Sequence, residues 1–328
     1  MSPHVTRRTI VKAGVAAVGI ISFAHPSWVH AWPSKPIRII VSAPAGGLTD
    51  LLARVYGAYI AQAVGQPVVI ENRTGAGGIV AAQAVKTAPA DGYTLMFTIS
   101  TTMIMNRALY KSLPYDPDKD FVLISSMSPG PLPLVAQTST GATNLKEFAE
   151  HAKNNNVAYG TYGPGSYAHI AMVELNKHFG LSVEIVHYRG EAPMWQDFNA
   201  GVIQAASGSY QGSSNVLQTG TGRAIAIWPK RSKKLPNVAT FLEQGVNSKV
   251  FHLRGFVCLV GPAGMPQEIV ERLSALMVEG GKSERVQKLL DTFGIDEAAE
   301  GHVAFKKLYD EEKPIWIELV SNLGLAPQ

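Results

Sequence analysis

The stretch Ile37-Arg38-Ile39-Ile40-Val41-Ser42-Ala43-Pro44-Ala45-Gly46-Gly47-Leu48-Thr49-Asp50 decides the fold class. A β-branched run, Ile37 to Ser42, ends in a proline and paired glycines, and Leu51, Leu52, Val55, Tyr59, Ile60 and Ala63 then recur at helical spacing. The order is strand, tight turn, helix. It repeats downstream as strand Val68 to Glu71, turn Gly75-Ala76-Gly77-Gly78, short helix Val80 to Thr87 and strand Tyr93 to Ile99. Strands separated by helices need crossovers, so the pattern predicts an α/β fold built on a mostly parallel sheet covered on both faces.

Further along, Phe121 to Gln137 is apolar but broken by Ser128-Pro129-Gly130-Pro131-Leu132-Pro133. Proline cannot donate to a sheet ladder, so the break reads as a crossing between two lobes. Beyond it the alternation restarts with helix Leu145 to Lys153, strand Val157 to Tyr162, helix Tyr167 to His178, strand Val183 to Tyr188, helix Ala192 to Asn199 and strands Val202 to Ser207 and Ala224 to Trp228. Strand Phe256 to Val260 and helices Gln267 to Glu279, Ser283 to Phe293 and Val303 to Asn322 close the chain, with Pro314 expected to kink or divide the last. A chain of 328 residues accommodates two domains of ordinary size. We place lobe 1 at residues 32–128 and 252–328, and lobe 2 at residues 129–251.

Residues 1–31 read as an export signal. Arg7, Arg8 and Lys12 precede an apolar run from Ala13 to Ala24, and Val29-His30-Ala31 predicts cleavage after Ala31. The run falls well short of the roughly 20 residues that span a bilayer. Thr6-Arg7-Arg8-Thr9-Ile10-Val11-Lys12 resembles the twin-arginine export motif, so the expected location is the periplasm. The formal charge of +4 is concentrated in this segment, which has no acidic residue; the remainder holds 26 basic against 25 acidic residues. No basic field is left for a nucleic acid. The single cysteine, Cys258, lies in an apolar run and excludes both an internal disulfide and a multi-cysteine metal site.

In α/β sheets, ligands bind outside the carboxyl ends of strands, which directs attention to the loops there. In Pro44 to Asp50 the paired glycines let a ligand approach the backbone closely, and the following helix offers unpaired N–H groups with partial positive charge. Asp50 would repel an anion if it pointed inward, so it is assigned to capping. Gly160 to His169 repeats the arrangement in the second lobe, with Ser166 as expected N-cap. Two such loops would grip the ends of a small dianion. Gly163 to Ala168 formally matches a dinucleotide fingerprint, but the acidic residue it requires, Glu184, lies near the start of the next strand instead of its end. No nucleophile-elbow, zinc-protease or phosphate-loop motif occurs, and no His/Asp/Glu cluster has metal spacing.

Across nearly all of Trp32 to Leu325 the chain resembles the periplasmic solute-binding proteins of tripartite tricarboxylate transporters, the Bug proteins. The resemblance is carried by Trp32 to Val41, Pro44 to Asp50, Gly65 to Arg73, Gly75 to Gly78, Pro89 to Leu95, Leu113 to Pro117, Tyr188-Arg189-Gly190, Ala192-Pro193 and Pro262 to Pro266. It implies a two-lobed Venus-flytrap fold of type II, no cofactor, no metal, no catalysis, and a monomer that captures a small carboxylate for membrane permease subunits. Carried over by position, the ligand residues would be Ala45, Gly46, Gly47, Thr49, Ser100 and Thr101 in the first lobe. Those in the second would be Gly163, Ser166, Tyr167, His169, Arg189, Pro193 and Tyr210. Where many members carry a Phe-Asp-Asn segment, this chain has Ser207 to Ser214 without a carboxylate, which disfavours an amino-acid ligand and favours a plain or aromatic carboxylate. An exported NAD-type oxidoreductase is the alternative.

Overall fold

The computed structural model describes Met1 and residues 32–325; the export-signal and twin-arginine readings of residues 1–31 lie outside the described residues. From Pro33 onward the contacts form one unit. It contains two sheets.

The first sheet begins as the opening stretch predicts. Strand β1 (Ile37–Val41) pairs in parallel with β2 (Val68–Asn72) and β3 (Thr94–Ile99), and helices α1 (Leu48–Val64) and α2 (Ile79–Lys86) provide the crossovers. Helix α3 (Asn106–Leu109) follows β3, and the short α4 (Pro117–Asp120) leads into β4 (Phe121–Met127). The second sheet is formed by β5 (Leu132–Gln137), β6 (Ala158–Thr161), β7 (Glu184–His187), β8 (Ala205–Ser207) and β9 (Gly222–Trp228). Its helices are α5 (Leu145–Asn154), α6 (Tyr167–Phe179), α7 (Glu191–Asn199) and α8 (Tyr210–Gln218).

The chain then returns to the first sheet through β10 (Val257–Pro262), which inserts between β3 and β4 and runs antiparallel to both. Helices α9 (Gln267–Gly280) and α10 (Glu284–Phe293), the two-residue β11 (Glu300–Gly301) and α11 (His302–Ser321) complete it. The strand orders are β11-β4-β10-β3-β1-β2 and β7-β6-β8-β5-β9.

Both sheets are mixed, which corrects the expectation of mostly parallel ones. The antiparallel pairs all involve β4, β5 or β10, the strands on either side of the two crossings. A chain that leaves one sheet and later re-enters it supplies strands with no local helix to set their direction. Pro133 also differs from expectation, because it lies within β5. It is tolerated there because β8 pairs only with Leu134 to Ala136, so at Pro133 the strand has β9 alone as neighbour. The crossing itself is confined to residues 128–131. Pro314 does not divide α11: buried Tyr309, Glu312, Trp316 and Leu319 anchor both sides of it, so packing outweighs the missing backbone bond. Helix α8 is absent from the sequence reading, since its segment has no apolar periodicity; the cap at Ser209, whose hydroxyl accepts the Gly212 N–H at 3.0 Å, is the signal that marks it.

Candidate functional site

At the carboxyl end of β1, Ala45, Gly46 and Gly47 are exposed and lead into α1. Gly47 is the N-cap, with extended φ −78° and ψ 167° and no side-chain cap. Asp50 turns back over the loop and accepts the Gly46 N–H at 2.9 Å, and its carboxylate also takes Arg54 at 2.9 Å and Asn72 Nδ2 at 2.8 Å. Burial works to raise the Asp50 pKa, but these three partners together hold the carboxyl below its ordinary value. Asp50 is therefore a brace for the loop and not a helix cap, which corrects the sequence reading. It also consumes the Gly46 N–H. What remains for an anion is the first turn of α1, where the N–H groups of Leu48, Thr49 and Asp50 have no partner within the helix.

Beside this loop, Ser100 and Thr101 follow β3. The Ser100 N–H donates to the Phe256 carbonyl at 3.0 Å, which ties the end of β3 to the returning chain. Thr102 donates to the Gly77 carbonyl at 3.0 Å, and Asn106 Nδ2 reaches the same oxygen at 3.0 Å. Gly78, at φ +90°, must be glycine because a Cβ would collide with the Thr102 hydroxyl. The Gly75–Gly78 turn is thus part of this wall, although sequence reasoning did not assign it to the site.

In the second half, Gly163 (φ +152°) and Gly165 (φ +68°) form the turn before α6. Ser166 is the N-cap, accepting the His169 N–H at 3.3 Å and donating to the Gly163 carbonyl at 2.7 Å. His169 is buried and its Nδ1 accepts the Gly165 N–H at 3.1 Å, so the ring proton belongs on Nε2. His169 meets His187 edge to face at 4.5 Å, and Thr161 Oγ1 lies 2.7 Å from His187 Nδ1.

Burial first, and the neighbouring His187 second, lower the His169 pKa from 6.5 to about 4. The folded protein therefore binds a proton here less readily than the unfolded chain. Stability from this residue is full above the unfolded value and is lost as pH falls from about 6.5 towards 4, amounting to about 3 kcal/mol by linkage. We expect the urea midpoint to drop between pH 7 and pH 4.5, and to drop less in His169→Asn. An equal drop in both proteins would remove His169 from the explanation.

The two halves meet through specific contacts. A Cβ on Gly165 would lie 2.7 Å from Leu109 Cδ2, so the second-half turn sits directly on α3 of the first. Gly255 (φ +63°) has Trp228 and Ser100 beside its Cα, and Trp228 stacks on Tyr167 with ring centroids 4.0 Å apart. Ser100 and Tyr167 are thereby joined through two intermediates. Arg189 and Pro193 stand exposed at the start of the α7 region, and Arg189 is in no ion pair among the described residues. Tyr210 is half-buried as the first residue of α8, and its N–H donates to the Pro131 carbonyl at 3.2 Å.

Ser207 to Ser214 carries no carboxylate, yet the structure puts one there. Glu191 accepts the Ser209 N–H at 3.0 Å, the Ser209 hydroxyl at 2.7 Å and Trp195 Nε1 at 3.4 Å. A Cβ on Gly208 would lie 3.1 Å from that carboxylate. The argument against an amino-acid ligand therefore loses its basis, because α7 supplies the charge that the local segment lacks.

A cavity of about 460 Å³ lies elsewhere, lined by Glu174, Lys177, Ser248, Lys249, Glu318 and Asn322 among others, and contains none of the expected ligand residues. Its charges neutralise one another: Glu174 pairs with Lys177 at 2.7 Å and Lys249 with Glu318 at 2.7 Å. It offers no uncompensated positive charge to a carboxylate. Among the described residues no His/Cys/Asp/Glu cluster is placed to hold a metal ion.

A sequence model of the family described as "Tripartite tricarboxylate transporter family receptor" matches residues 52–325. The chain is 30% identical over 281 residues to protein BugT of Bordetella pertussis, covering 84% of this chain and 83% of that one. Among solved structures it is similar to an R. palustris protein solved with adipate, at 27% identity and TM-score 0.81, covering 90% of this chain and 100% of that one. It is also similar to MatC from Rhodopseudomonas palustris with bound malate, at 28% identity and TM-score 0.74, covering 88% and 99%.

Proposed function

From the premise that this chain belongs to the tripartite tricarboxylate transporter receptors, a family of solute receptors and not of enzymes, we propose that it captures a small carboxylate between its two sheets and delivers it to membrane permease subunits. The oxidoreductase alternative falls with the family. The single observation that carries the ligand class is the open first turn of α1 behind the exposed Ala45–Gly47 loop, with the Asp50 charge neutralised by Arg54. Arg189, exposed and in no ion pair among the described residues, adds a cation from the second half. Thr49, Ser100, Thr101, Gly163, Ser166 and Tyr210 complete the proposed ligand set with Tyr167, His169 and Pro193. The adipate and malate complexes of similar proteins support a dicarboxylate.

Titration calorimetry with adipate, malate and a panel of mono- and tricarboxylates tests this reading. A ligand at one hundred times its Kd should stabilise the fold by about 2.7 kcal/mol. Heat and thermal shift absent across the panel would defeat it.

The proposed lobes, residues 32–128 with 252–328 and residues 129–251, are joined by crossings at residues 128–131 and 251–256, which suits hinge closure. A ligand drives closure only by binding the closed state better. Saturating ligand should reduce the radius of gyration in solution scattering, and identical curves with ligand bound would contradict closure. We place the mature protein in the periplasm on the reading of residues 1–31. Replacing Arg7 and Arg8 by lysine should retain precursor in the cytoplasm; undiminished export would point to the general secretory route.

A further inference from the structure

Three ion pairs of one polarity join the two halves along a single edge. Lys230 meets Glu297 at 2.6 Å, Lys233 meets Asp296 at 3.5 Å and Lys234 meets Asp291 at 3.0 Å. Every cation follows β9 in the second half, and every carboxylate lies in the last turn of α10 or between α10 and β11 in the first. Both sides are braced. The Lys234 N–H donates to Ser232 Oγ at 3.2 Å, the Leu235 N–H to the Ser232 carbonyl at 3.0 Å, and Arg231 Nε donates to Glu243 at 2.8 and 3.0 Å. Opposite, the Ile295 N–H donates to the Leu290 carbonyl at 2.8 Å and closes α10, which packs on α1, the helix that begins behind the Ala45–Gly47 loop.

The strand orders put this edge on the far side of the crossings from the ligand loops. In the first sheet, β4 and β10, the strands that leave and re-enter, stand between β11 and the pair β3 and β1, whose ends lead to Ser100 and to Ala45. In the second sheet, β5, where the chain arrives, and β8 stand between β9 and β6, which leads to the Gly163–Ser166 turn. The first crossing also touches the ion-pair edge: a Cβ on Gly130 would lie 2.8 Å from Ile295 Cγ1, and one on Gly294 3.3 Å from Pro131 Cγ. A rotation about the crossings that brings the ligand loops together therefore draws the lysines and the carboxylates apart.

Exposed ion pairs are individually weak, but three that must lengthen together act on the hinge as one. We infer that the Lys230–Glu297, Lys233–Asp296 and Lys234–Asp291 ladder is a counterweight behind the hinge, which favours the open arrangement and so lowers ligand affinity. This rests on the hinge closure proposed above. When binding requires the closed arrangement, apparent affinity scales with the fraction of molecules that adopt it, so weakening the ladder tightens binding without touching a ligand residue.

The test reverses two of the three cations, Lys230→Glu with Lys234→Glu, and reads solution scattering of the unliganded protein together with calorimetry on adipate. The expected result is a smaller unliganded radius of gyration than in the wild type and adipate binding about fivefold tighter. Adding Glu297→Lys and Asp291→Lys makes the charges opposite again and should return both readouts to wild-type values. The extra negative charge of the double variant would by itself weaken capture of an anion, so tighter binding is not an effect of net charge. Equal unliganded radii of gyration in the wild type and the double variant would overturn the counterweight, as would unchanged or weaker adipate binding, or a gain that the charge swap fails to reverse. Wild-type scattering left unchanged by bound adipate would defeat hinge closure and the counterweight with it. A wild type that binds no adipate would count against the proposed dicarboxylate alone, since the unliganded scattering then decides the ladder.

Discussion

Gly47→Val is expected to weaken carboxylate binding at least tenfold, about 1.4 kcal/mol, while the unliganded protein unfolds within about 1 kcal/mol of the wild type. The separation of the two effects follows from local geometry. Gly47 has φ −78° and ψ 167°, a conformation open to any residue, and a Cβ there meets only the Pro44 carbonyl at an ordinary 3.5 Å. The isopropyl group therefore fits the backbone but stands in front of the first-turn N–H groups of α1. Gly46 is the contrasting position: at φ +84° any side chain is strained by roughly 1–3 kcal/mol, so Gly46→Val should lose stability as well as affinity. Calorimetry together with urea unfolding distinguishes the two variants. Wild-type affinity in Gly47→Val would show that the ligand does not approach this helix end.

Glu312→Ala should be among the most destabilising single substitutions, at about 3–6 kcal/mol. Glu312 is buried on α11, where it accepts the Arg254 N–H at 2.5 Å, the Gly255 N–H at 3.0 Å and Trp316 Nε1 at 2.9 Å. Its removal strands three donors, each worth about 1–3 kcal/mol when buried and unmatched. The neighbouring Arg254 guanidinium is bidentate to Glu300 at 2.8 and 2.9 Å, so this stretch is held on both its main chain and its side chain. The Arg254–Phe256 segment is also the return crossing, and the Phe256 carbonyl positions Ser100. Glu312→Gln, which keeps one acceptor oxygen, should show an intermediate loss. A change below about 1 kcal/mol in Glu312→Ala, measured by urea unfolding, would refute this account.

The sites that sequence reasoning could and could not find differ in range. Gly46-Gly47 before an apolar helix and Gly163-Pro164-Gly165-Ser166 before another are local signals, and the structure has helix starts at both, with Ser166 as the cap. The Asp50 brace depends on Arg54 and on Asn72 from the next strand, so only its first partner was within reach of a local reading. Glu191 beside Ser209 and Gly208 joins residues 18 and 17 positions apart, and nothing near Ser207 announces it.

What the sequence by itself determined is what short-range physics controls: the alternation of strands and helices, the two-lobed α/β class, the proline-marked crossing and the glycine turns ahead of helices. Periodicity and turn chemistry act within one helical turn or one hairpin, so they can be read directly. The tertiary structure alone decided strand direction around β10, the continuity of α11 through Pro314, the Asn72 contact of Asp50 and the meeting of Gly165 with Leu109. Each of these depends on contacts between residues distant in the chain, where burial and hydrogen-bond satisfaction outweigh local preference and the winning arrangement is set only once both surfaces are in place.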